Sequence, residues 1–244
     1  MTNQTEWYKD WFASDYYQLV YKHRDNNDAK RFLELILSKI ELTKDSIILD
    51  AACGAGRHLK YLQEVGYKNL NGFDLSLPLL KNAKDNKVKN VINSDIRTVF
   101  YKCKFDLILN IFTSFGYFED DRDNFLFFNN AKEFLRPEGI LVFDYFNTNY
   151  LVKNLVLESN SKIDDIAINE KRRIEKERVE KTIILKTNEM QINFKESVKL
   201  YSPEFLINRF QEIGYKVCGI YGSYNGADFD INLSDRIILF LENA

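Results

Sequence analysis

A short apolar run that ends in an acid and a glycine turn is the strongest constraint on the fold of this 244-residue chain. In SIILDAACGAGRH (46–58), the aliphatic residues predict a buried strand that ends at Asp50. Gly54 and Gly56 follow and allow a tight turn, after which GRHLKYLQEVG (56–66) places its apolar residues at helical spacing. A strand that leads through a glycine turn into a helix is typical of parallel α/β units.

Strands and helices alternate along residues 31–147. Apolar spacing predicts helices over 31–40, 56–66, 76–86 and 123–139, and strands over 46–50, 69–76, 91–96, 105–112 and 140–147. Beyond residue 201, the pattern predicts a helix over 202–215 and an antiparallel hairpin of strands over 216–224 and 236–243. We therefore predict an α/β fold with a Rossmann-like, seven-stranded, mostly parallel sheet, an antiparallel last strand and helices on both faces.

Residues 148–201 depart from this alternation. NEKRRIEKERVEKT (169–182) has the composition of a helix, but it holds two apolar residues, so a helix here would have nothing to bury. The neighbouring short apolar runs suit antiparallel strands with one face in water, and we predict a small antiparallel β insertion after strand five. One domain then comprises 1–147 and 202–244, with a helical cap over the active site at 1–30, and the insertion is a lid or a dimer contact.

Composition argues against several classes of function. The formal net charge of −2 gives no global cationic field to attract nucleic acid. Three widely spaced cysteines fit a reduced, cytoplasmic protein better than a disulfide framework. No run approaches ~18 apolar residues, the length of a membrane span. With two histidines and no cysteine pair at ligand spacing, we expect no metal site.

Polar side chains stand at or near the ends of the predicted parallel strands. They are Asp50, Asp74, Asp95, Asn110 and Asp144. The carboxyl ends of parallel strands meet at one edge of a sheet, and ligands bind at that edge. Capping would explain one such residue, but the whole set predicts a binding site.

The acid before the glycine turn decides which ligand fits this edge. A dinucleotide-binding turn has a third glycine where this chain has Leu59, and Asp50 would repel a pyrophosphate. A P-loop is excluded because no Gly-Lys-Ser/Thr follows. S-adenosylmethionine suits an acid at this position, because it carries a sulfonium and an ammonium and no phosphate. Asp50 can bind its ammonium directly or through water, Asp74 its ribose hydroxyls and Asp95 its adenine amino group.

Five segments carry a resemblance to a known family. They are LDAACGAGRH, GFDLS, NSDIR, FDLILNIFTSFGYF and LRPEGILVFDYFN. In this order and spacing they resemble the class I S-adenosylmethionine-dependent methyltransferases, over roughly residues 30–150. The aromatic N-terminal segment, the serine-containing turn after strand four and the β insertion are similar to bacterial small-molecule methyltransferases, including amino-sugar N,N-dimethyltransferases and, more distantly, glycine N-methyltransferases. FTSFGYF (112–118) departs from those amino-sugar enzymes that have a histidine near Tyr117.

The resemblance implies S-adenosylmethionine as cofactor and S-adenosylhomocysteine as product. We expect cofactor contacts at Asp50, Ala52, Gly54, Arg57, Asp74, Leu75, Asp95, Ile96 and Asn110. Within this set, Leu75 and Ile96 would flank the base by apolar contact. Arg57 and His58 replace the small or polar residues that are commoner at their positions in the family.

Methyl transfer from a sulfonium requires mainly that the nucleophile is aligned and water is excluded. An amine must be neutral when it reacts, whereas a hydroxyl needs a base. The candidate catalytic residues are Tyr17, His23 and Tyr117, and the candidate substrate contacts are Tyr21, His58, Thr113, Ser114 and Asp144. The alternative roles are core packing for the N-terminal tyrosines, a surface position for His23, orientation of the N-terminal segment for His58 and capping for Asp144.

We expect a methyltransferase that acts on a small molecule, with N-methylation favoured over O-methylation. The sequence NIFTSF after strand four lacks the Asp/Asn-Pro-Pro-aromatic motif of enzymes that methylate base amino groups. The alternatives are a methyltransferase-like binding protein without turnover and a nucleotide-dependent oxidoreductase. We expect no nucleic-acid or membrane partner, and a homodimer would form through the β insertion.

Overall fold

A computed structural model describes residues 6–21 and 26–244. In chain order the elements are α1 (Trp7–Ala13), α2 (Asp15–Val20), α3 (Asn26–Lys39), β1 (Ile47–Ala51), α4 (Arg57–Glu64), β2 (Asn69–Asp74), α5 (Leu77–Asp85), β3 (Val91–Asn93), β4 (Phe105–Asn110), α6 (Asp121–Phe134), β5 (Leu135–Phe146), α7 (Thr148–Lys153), β6 (Glu158–Ile163), β7 (Ile166–Glu175), β8 (Arg178–Lys186), β9 (Gln191–Lys199), α8 (Pro203–Ile213), β10 (Tyr215–Tyr221) and β11 (Arg236–Asn243). None of the helices in these ranges is long and apolar enough to cross a membrane.

Seven strands form one sheet in the order β3-β2-β1-β4-β5-β11-β10. The pairs from β3 to β5 are parallel, and β11 is antiparallel to both β5 and β10. This confirms the predicted mostly parallel sheet with an antiparallel last strand. The strand order reverses between β1 and β4, so their carboxyl ends flank the crevice in which open α/β sheets bind ligands.

Helices cover both faces of this sheet. Residues of α3, α4 and α5 pack on one face, where Phe32 and Leu59 are completely buried. Residues of α6 and α8 pack on the other, where the rings of Phe128 and Phe143 lie 5.5 Å apart edge to face. Burial of a side chain of this size contributes about 1.5–3 kcal/mol, so the core holds the strands, and the loops at their carboxyl ends, in place.

The helix predicted over 123–139 is shorter in the structure. α6 ends at Phe134, and Leu135 already pairs with Phe105 as the first residue of β5. Pro137 disfavours helical backbone at the residue before it. A Cβ on Gly139 would lie 2.8 Å from the Phe105 carbonyl oxygen, so the glycine permits close approach of the two strands. The predicted helix was too long because residues 135–139 carry no strand-like alternation, and only their pairing with β4 makes them part of β5.

The insertion is a four-stranded antiparallel sheet in the order β6-β7-β8-β9. The segment 169–182 forms the hairpin of β7 and β8, which confirms strands rather than a helix. Its turn residues, Lys176 and Glu177, both have positive φ, as the twist of a tight hairpin requires. One face of this sheet buries Ile183 and Leu185 in a cluster with α1 and α2, while its other face is polar.

Candidate functional site

A cavity of about 980 Å³ opens at the carboxyl edge of the large sheet. The turns after β1, β2, β3 and β4 line one part of it, and α1, α2, α7 and the insertion sheet line the rest. Ligand pockets span about 300–1,000 Å³, so this volume is at the upper end of that range. The cavity can therefore hold a cofactor-sized ligand beside a second small molecule.

The glycine turn between β1 and α4 leaves open space on the cavity side. Ala52, Gly54 and Gly56 all have positive φ. A Cβ on Gly54 would meet only Leu79 Cδ1, at 3.8 Å, whereas a Cβ on Gly56 would lie 3.1 Å from Val88. Gly54 thus leaves room for a ligand, and Gly56 lets the first turn of α4 pack closely.

Asp74, the last residue of β2, lines the cavity beside this turn. Its carboxylate accepts hydrogen bonds from the Gly54 and Ser76 N–H groups, each at 2.8 Å. Burial raises the pKa of Asp74 above its ordinary value. A carboxylate has about four lone-pair positions, so acceptor capacity remains for a ligand. Leu75 lies next to it in the cavity wall.

Asp95 lies at the same edge, two residues beyond β3, and is tied to Arg97. The Asp95 carboxylate accepts from Arg97 Nε at 3.0 Å and Nη2 at 2.6 Å. Burial raises the pKa of Asp95, but the hydrogen bonds from Arg97 lower it by more, so the net shift is downward. The Arg97 guanidinium also lies 4.4 Å from the centre of the Phe118 ring. Ile96, which lies between Asp95 and Arg97 in the sequence, lines the cavity.

Asp50, predicted to bind the ammonium of the cofactor directly or through water, does not line the cavity. It is 1% exposed, and its Oδ2 lies 3.2 Å from Nδ1 of His58 in α4. His58 does line the cavity, and its ring stacks on Phe112 at 5.1 Å. The Arg57 guanidinium lies 4.1 Å from the centre of the same Phe112 ring. The structure therefore places His58 between Asp50 and the cavity.

The turn after β4 holds two consecutive residues in left-handed backbone, Phe112 (φ 57°) and Thr113 (φ 62°). Such conformations cost about 1–3 kcal/mol each in residues other than glycine, and they cluster at functional sites. Asp144 supports the turn, because its Oδ2 accepts from the Phe112 N–H at 2.7 Å. Arg236 supports it too, because its Nη2 donates to Thr113 Oγ1 at 2.8 Å.

Asp144 and Asn110 do not lie where we predicted. Both are completely buried, and neither lines the cavity. Asp144 is occupied by Arg236, the Phe112 N–H and the Tyr224 hydroxyl, because these donors surround its position at the centre of the sheet edge. Arg236, which does line the cavity, stands where we expected the acid.

The predicted tyrosines and the turn residues Thr113 and Ser114 all line the cavity. The Tyr117 hydroxyl donates to the Thr113 carbonyl at 2.8 Å, and its ring lies 5.1 Å from that of Trp7. Tyr17 packs edge to face on Trp11, at 5.5 Å. These contacts combine both roles considered for the tyrosines, since the rings pack together and also form cavity wall. His23 lies outside the described residues.

A charged network joins the N-terminal helices to the insertion sheet at the cavity wall. Glu196 Oε1 accepts from Trp11 Nε1 and from the Tyr21 hydroxyl, both at 2.6 Å. Glu196 Oε2 lies 2.9 Å from Lys181 Nζ, which also donates to the Tyr21 hydroxyl. Arg178, at the start of β8, donates to the Tyr117 carbonyl at 3.0 Å. The network ties the cap, the insertion and the turn after β4 together.

Sequence reasoning missed several charged residues of this site. They include Lys181, Glu196 and Arg236, which line the cavity, and Arg97, which holds Asp95. Lys181 and Glu196 are direct partners in the β8–β9 register, and opposite charges at facing positions stabilise a sheet. This pair of opposite charges can be predicted from the sequence only when the register of β8 and β9 is known. Among residues 6–21 and 26–244, no three His, Cys, Asp or Glu side chains are grouped so that they could hold a metal ion.

Comparisons of sequence with known proteins point to one family. A family profile described as "Methyltransferase domain" matches residues 49–143. The chain is 30% identical over 139 residues to YqeM of Bacillus subtilis (strain 168), covering 54% of this chain and 53% of YqeM. It is 26% identical over 133 residues to dTDP-3-amino-3,4,6-trideoxy-alpha-D-glucopyranose N,N-dimethyltransferase of Streptomyces venezuelae, covering 53% and 55%. The matches thus span about half the length of each of these relatives.

Solved structures share the fold over nearly the whole chain. An S-adenosylmethionine-dependent methyltransferase from Clostridium acetobutylicum ATCC 824 superposes with a TM-score of 0.80 at 21% identity, covering 96% of this chain and 98% of that one. S-adenosylmethionine-bound CalS10, an amino pentose methyltransferase from Micromonospora echinaspora, gives 0.66 at 16% identity, covering 95% and 98%. At these sequence identities, the structural similarity shows that this chain shares the fold of both proteins.

Proposed function

We propose that this chain, which matches a methyltransferase domain profile over residues 49–143 and shares the fold of a solved S-adenosylmethionine-dependent methyltransferase, methylates a small molecule, on nitrogen in preference to oxygen. The observation that carries the proposal is the two-part cavity. Its first part has an open glycine turn and acids at the ends of β2 and β3. Its second part is walled by aromatic rings and the insertion sheet, and suits a small acceptor.

The residues present fit S-adenosylmethionine. Gly54 leaves space at the turn, and Asp74 keeps free acceptor positions for the two ribose hydroxyls. Asp95 would accept from the adenine amino group, with Leu75 and Ile96 against the base. When bound, this cofactor supplies a methyl group on a sulfonium, whose leaving group departs neutral.

The chain's own residues would align the acceptor and exclude water. Trp7, Tyr17 and Tyr117 form an aromatic wall on the substrate side, which limits the access of bulk water. We also propose that residues 148–201, together with the N-terminal cap, act as a lid over this part. A homodimer through the insertion stays a prediction, which sedimentation of the full chain would test.

Nitrogen is favoured because the substrate side offers no uncommitted carboxylate among the described cavity-lining residues. A hydroxyl acceptor needs a base, whereas an amine that binds in its neutral form does not. Glu196, the acid on that wall, is engaged by Lys181, Trp11 and Tyr21. The Streptomyces venezuelae relative is named as an N,N-dimethyltransferase, which supports the same choice.

Calorimetric titration with S-adenosylmethionine, S-adenosylhomocysteine and NAD tests the class of ligand. We expect the first two to bind and NAD not to bind. Release of S-adenosylhomocysteine with a panel of small amines, and matched alcohols as controls, then tests turnover. Failure of both adenosyl ligands to bind contradicts the proposal, and NAD binding would support an oxidoreductase. Tight cofactor binding without turnover of any amine or alcohol would support a binding protein.

A further inference from the structure

Arg178 is a buried arginine whose hydrogen bonds go to neutral oxygen atoms. It is the first residue of β8 in the insertion and is 7% exposed. Its Nε donates to Ser197 Oγ at 2.7 Å, and its Nη2 donates to the Ser197 carbonyl at 2.9 Å. Glu119 Oε2, on an exposed side chain, lies 3.9 Å from Nη1. The guanidinium is therefore stabilised mainly by hydrogen bonds and not by a close ion pair.

Three further hydrogen bonds of Arg178 reach the turn after β4, on the substrate side of the cavity. Nη2 donates to the carbonyls of Gly116 at 3.2 Å and Tyr117 at 3.0 Å, and Nη1 donates to the carbonyl of Phe118 at 3.2 Å. These three consecutive residues all line the cavity. A guanidinium presents its donors in a rigid, planar fork, so it can hold several carbonyls in one arrangement.

The backbone of β9 holds the same turn at a second point. The Lys199 N–H donates to the Gly116 carbonyl at 2.8 Å. Gly116 has a φ of 85°, and a Cβ there would lie 3.1 Å from Val198 Cγ1 and 3.3 Å from the Lys199 carbonyl oxygen. The insertion sheet therefore packs directly on the backbone of the turn.

The two halves of this turn are held by different parts of the fold. Phe112 and Thr113, in the first half, are supported by Asp144 and Arg236 of the large sheet. The second half is supported by β8 and β9 of the insertion. The placement of Tyr117 in the cavity wall thus depends on the insertion as well as on the large sheet.

Stability alone does not require an arginine at this position. Burial of a cation has a desolvation cost, and replacement of buried charged groups by apolar residues of similar volume is often neutral or stabilising. An apolar side chain at residue 178 would fill the space, but it could not bind the three carbonyls. The arginine therefore supplies a fixed position for the backbone on both sides of Tyr117.

We propose that Arg178 is a positioning residue for methyl transfer, because it fixes residues 116–118 and hence the placement of Tyr117 beside the methyl acceptor. This inference rests on the proposed function. Arg178 does not itself line the cavity, so it acts through the turn. Gly54 and Asp74 follow β1 and β2, on the other side of β4, so the affinity for the cofactor should not depend on Arg178.

Amide hydrogen exchange tests whether Arg178 holds the turn. Arg178→Met removes all the donors and keeps an unbranched side chain that fills part of the space. Exchange within residues 114–118 should accelerate by at least about tenfold, because opening of the turn no longer breaks these hydrogen bonds. Exchange in α4 should stay unchanged. Arg173→Met, on an exposed arginine of the same insertion, is the matched control and should alter exchange in neither segment.

Binding and turnover separate a positioning role from a structural one. Arg178→Met and Arg178→Lys should both bind S-adenosylhomocysteine as tightly as the wild type, which also shows that they fold. With the amine of the panel that the wild type methylates fastest, Arg178→Met should lower kcat by at least about tenfold, because small misplacements of aligned groups are costly. The KM for S-adenosylmethionine should stay unchanged.

Arg178→Lys is the conservative variant. It keeps the positive charge and can donate to some of the acceptors, so it should recover part of the kcat that Arg178→Met loses. If Arg178→Met does not fold, Arg178→Lys serves for both measurements, with smaller changes in exchange and in kcat.

Three outcomes overturn the assignment. Exchange within residues 114–118 is the same in the variants and the wild type, or it accelerates while kcat is unchanged, which means that Arg178 serves stability alone. In the third, the variants lose affinity for S-adenosylhomocysteine by the same factor as kcat. If the wild type binds no S-adenosylhomocysteine or methylates nothing in the panel, the proposed function fails and this assignment fails with it, whereas the three outcomes above concern an active enzyme and leave the proposed function intact.

Discussion

Arg236 Nη2 lies 2.7 Å from Asp144 Oδ1, across the antiparallel pair of β11 and β5. Asp144 is 0% exposed, so this ion pair is shielded from water on the acid's side. The same two residues support the strained turn after β4, Asp144 through the Phe112 N–H and Arg236 through the Thr113 hydroxyl. The pair therefore links the edge of the sheet to the wall of the cavity.

Removal of the Arg236 charge should strongly destabilise the protein. Arg236→Gln leaves Asp144 buried without its cation, which costs about 3–5 kcal/mol of unfolding free energy. Urea denaturation measures the loss, and adding Asp144→Asn should recover part of it. Arg173→Gln removes the same charge from an exposed arginine whose partner, Glu180, keeps a second cation in Lys195, and should change stability by less than about 0.5 kcal/mol. Equal losses of unfolding free energy in Arg236→Gln and Arg173→Gln would show that the buried pair contributes no more to stability than a surface pair.

Asp74→Ala should weaken the binding of S-adenosylhomocysteine by about 1–3 kcal/mol. The ribose hydroxyls lose a charged acceptor, and the Gly54 N–H loses its 2.8 Å partner. Calorimetry measures the affinity. Asp45→Ala, which breaks an exposed ion pair with Lys68, is the control and should have no effect on binding. An unchanged affinity of Asp74→Ala would mean that the acid at the end of β2 does not face the cofactor.

Asp95 should contribute stability that depends on pH. Burial raises its pKa, but Arg97 lowers it by more, so the folded pKa lies below the unfolded value of about 3.9. The folded state then binds fewer protons than the unfolded state in the window between these values. The stabilisation is present above about pH 3.9 and is lost as the pH falls through the folded pKa.

Asp95→Asn removes this titration. In urea denaturation, the gap in stability between the wild type and Asp95→Asn should be large at pH 7 and should shrink as the pH falls below about 3.9. Asp45→Asn again serves as the exposed control. A gap that stays constant between the two conditions would contradict the role of Arg97 in lowering the pKa of Asp95.

Two glycine substitutions should separate binding from packing. A Cβ on Gly54 enters open space at the cavity in left-handed backbone, so Gly54→Ala should weaken S-adenosylhomocysteine with a stability loss of about 1–2 kcal/mol. A Cβ on Gly139 would lie 2.8 Å from the Phe105 carbonyl oxygen and 2.9 Å from Leu135 Cδ1, and neither residue lines the cavity. Gly139→Ala should cost about 1–3 kcal/mol of stability by overpacking and leave the affinity of folded protein unchanged. Thermal unfolding and calorimetry together distinguish the two.

Glu196→Ala should loosen the N-terminal cap. The substitution removes the acceptor of Trp11 Nε1 and Tyr21 and leaves Lys181 without this counter-charge. Loss of one such charged hydrogen bond, about 1.5–3 kcal/mol, should accelerate amide hydrogen exchange in α1 and α2 by roughly 10–100-fold. Glu180→Ala, whose partners are more exposed, should leave exchange there unchanged. Equal exchange in the two variants would show that the network does not hold the cap.

Local patterns predicted most of the fold because they arise from neighbouring residues. The apolar run before Asp50 and the glycine turn after it led to β1, the turn and α4 without knowledge of any other segment. The hairpin over 169–182 followed from the lack of an apolar helical face. The end of α6 did not follow, since Leu135 belongs to β5 only through its pairing with Phe105, a residue 30 positions away.

The sequence alone determined that acids stand at the carboxyl ends of parallel strands beside a glycine turn, and hence the kind of cofactor the edge suits. The tertiary structure alone decided which of those acids face the cavity. Asp74 and Asp95 line it, whereas Asp50 is behind His58 and Asp144 is behind Arg236. The physical reason is that hydrophobic period and turn propensity depend on adjacent residues, whereas a side chain's partner depends on the pairing of segments far apart in the chain. Asp144 and Arg236 are 92 positions apart and meet only because β11 pairs with β5.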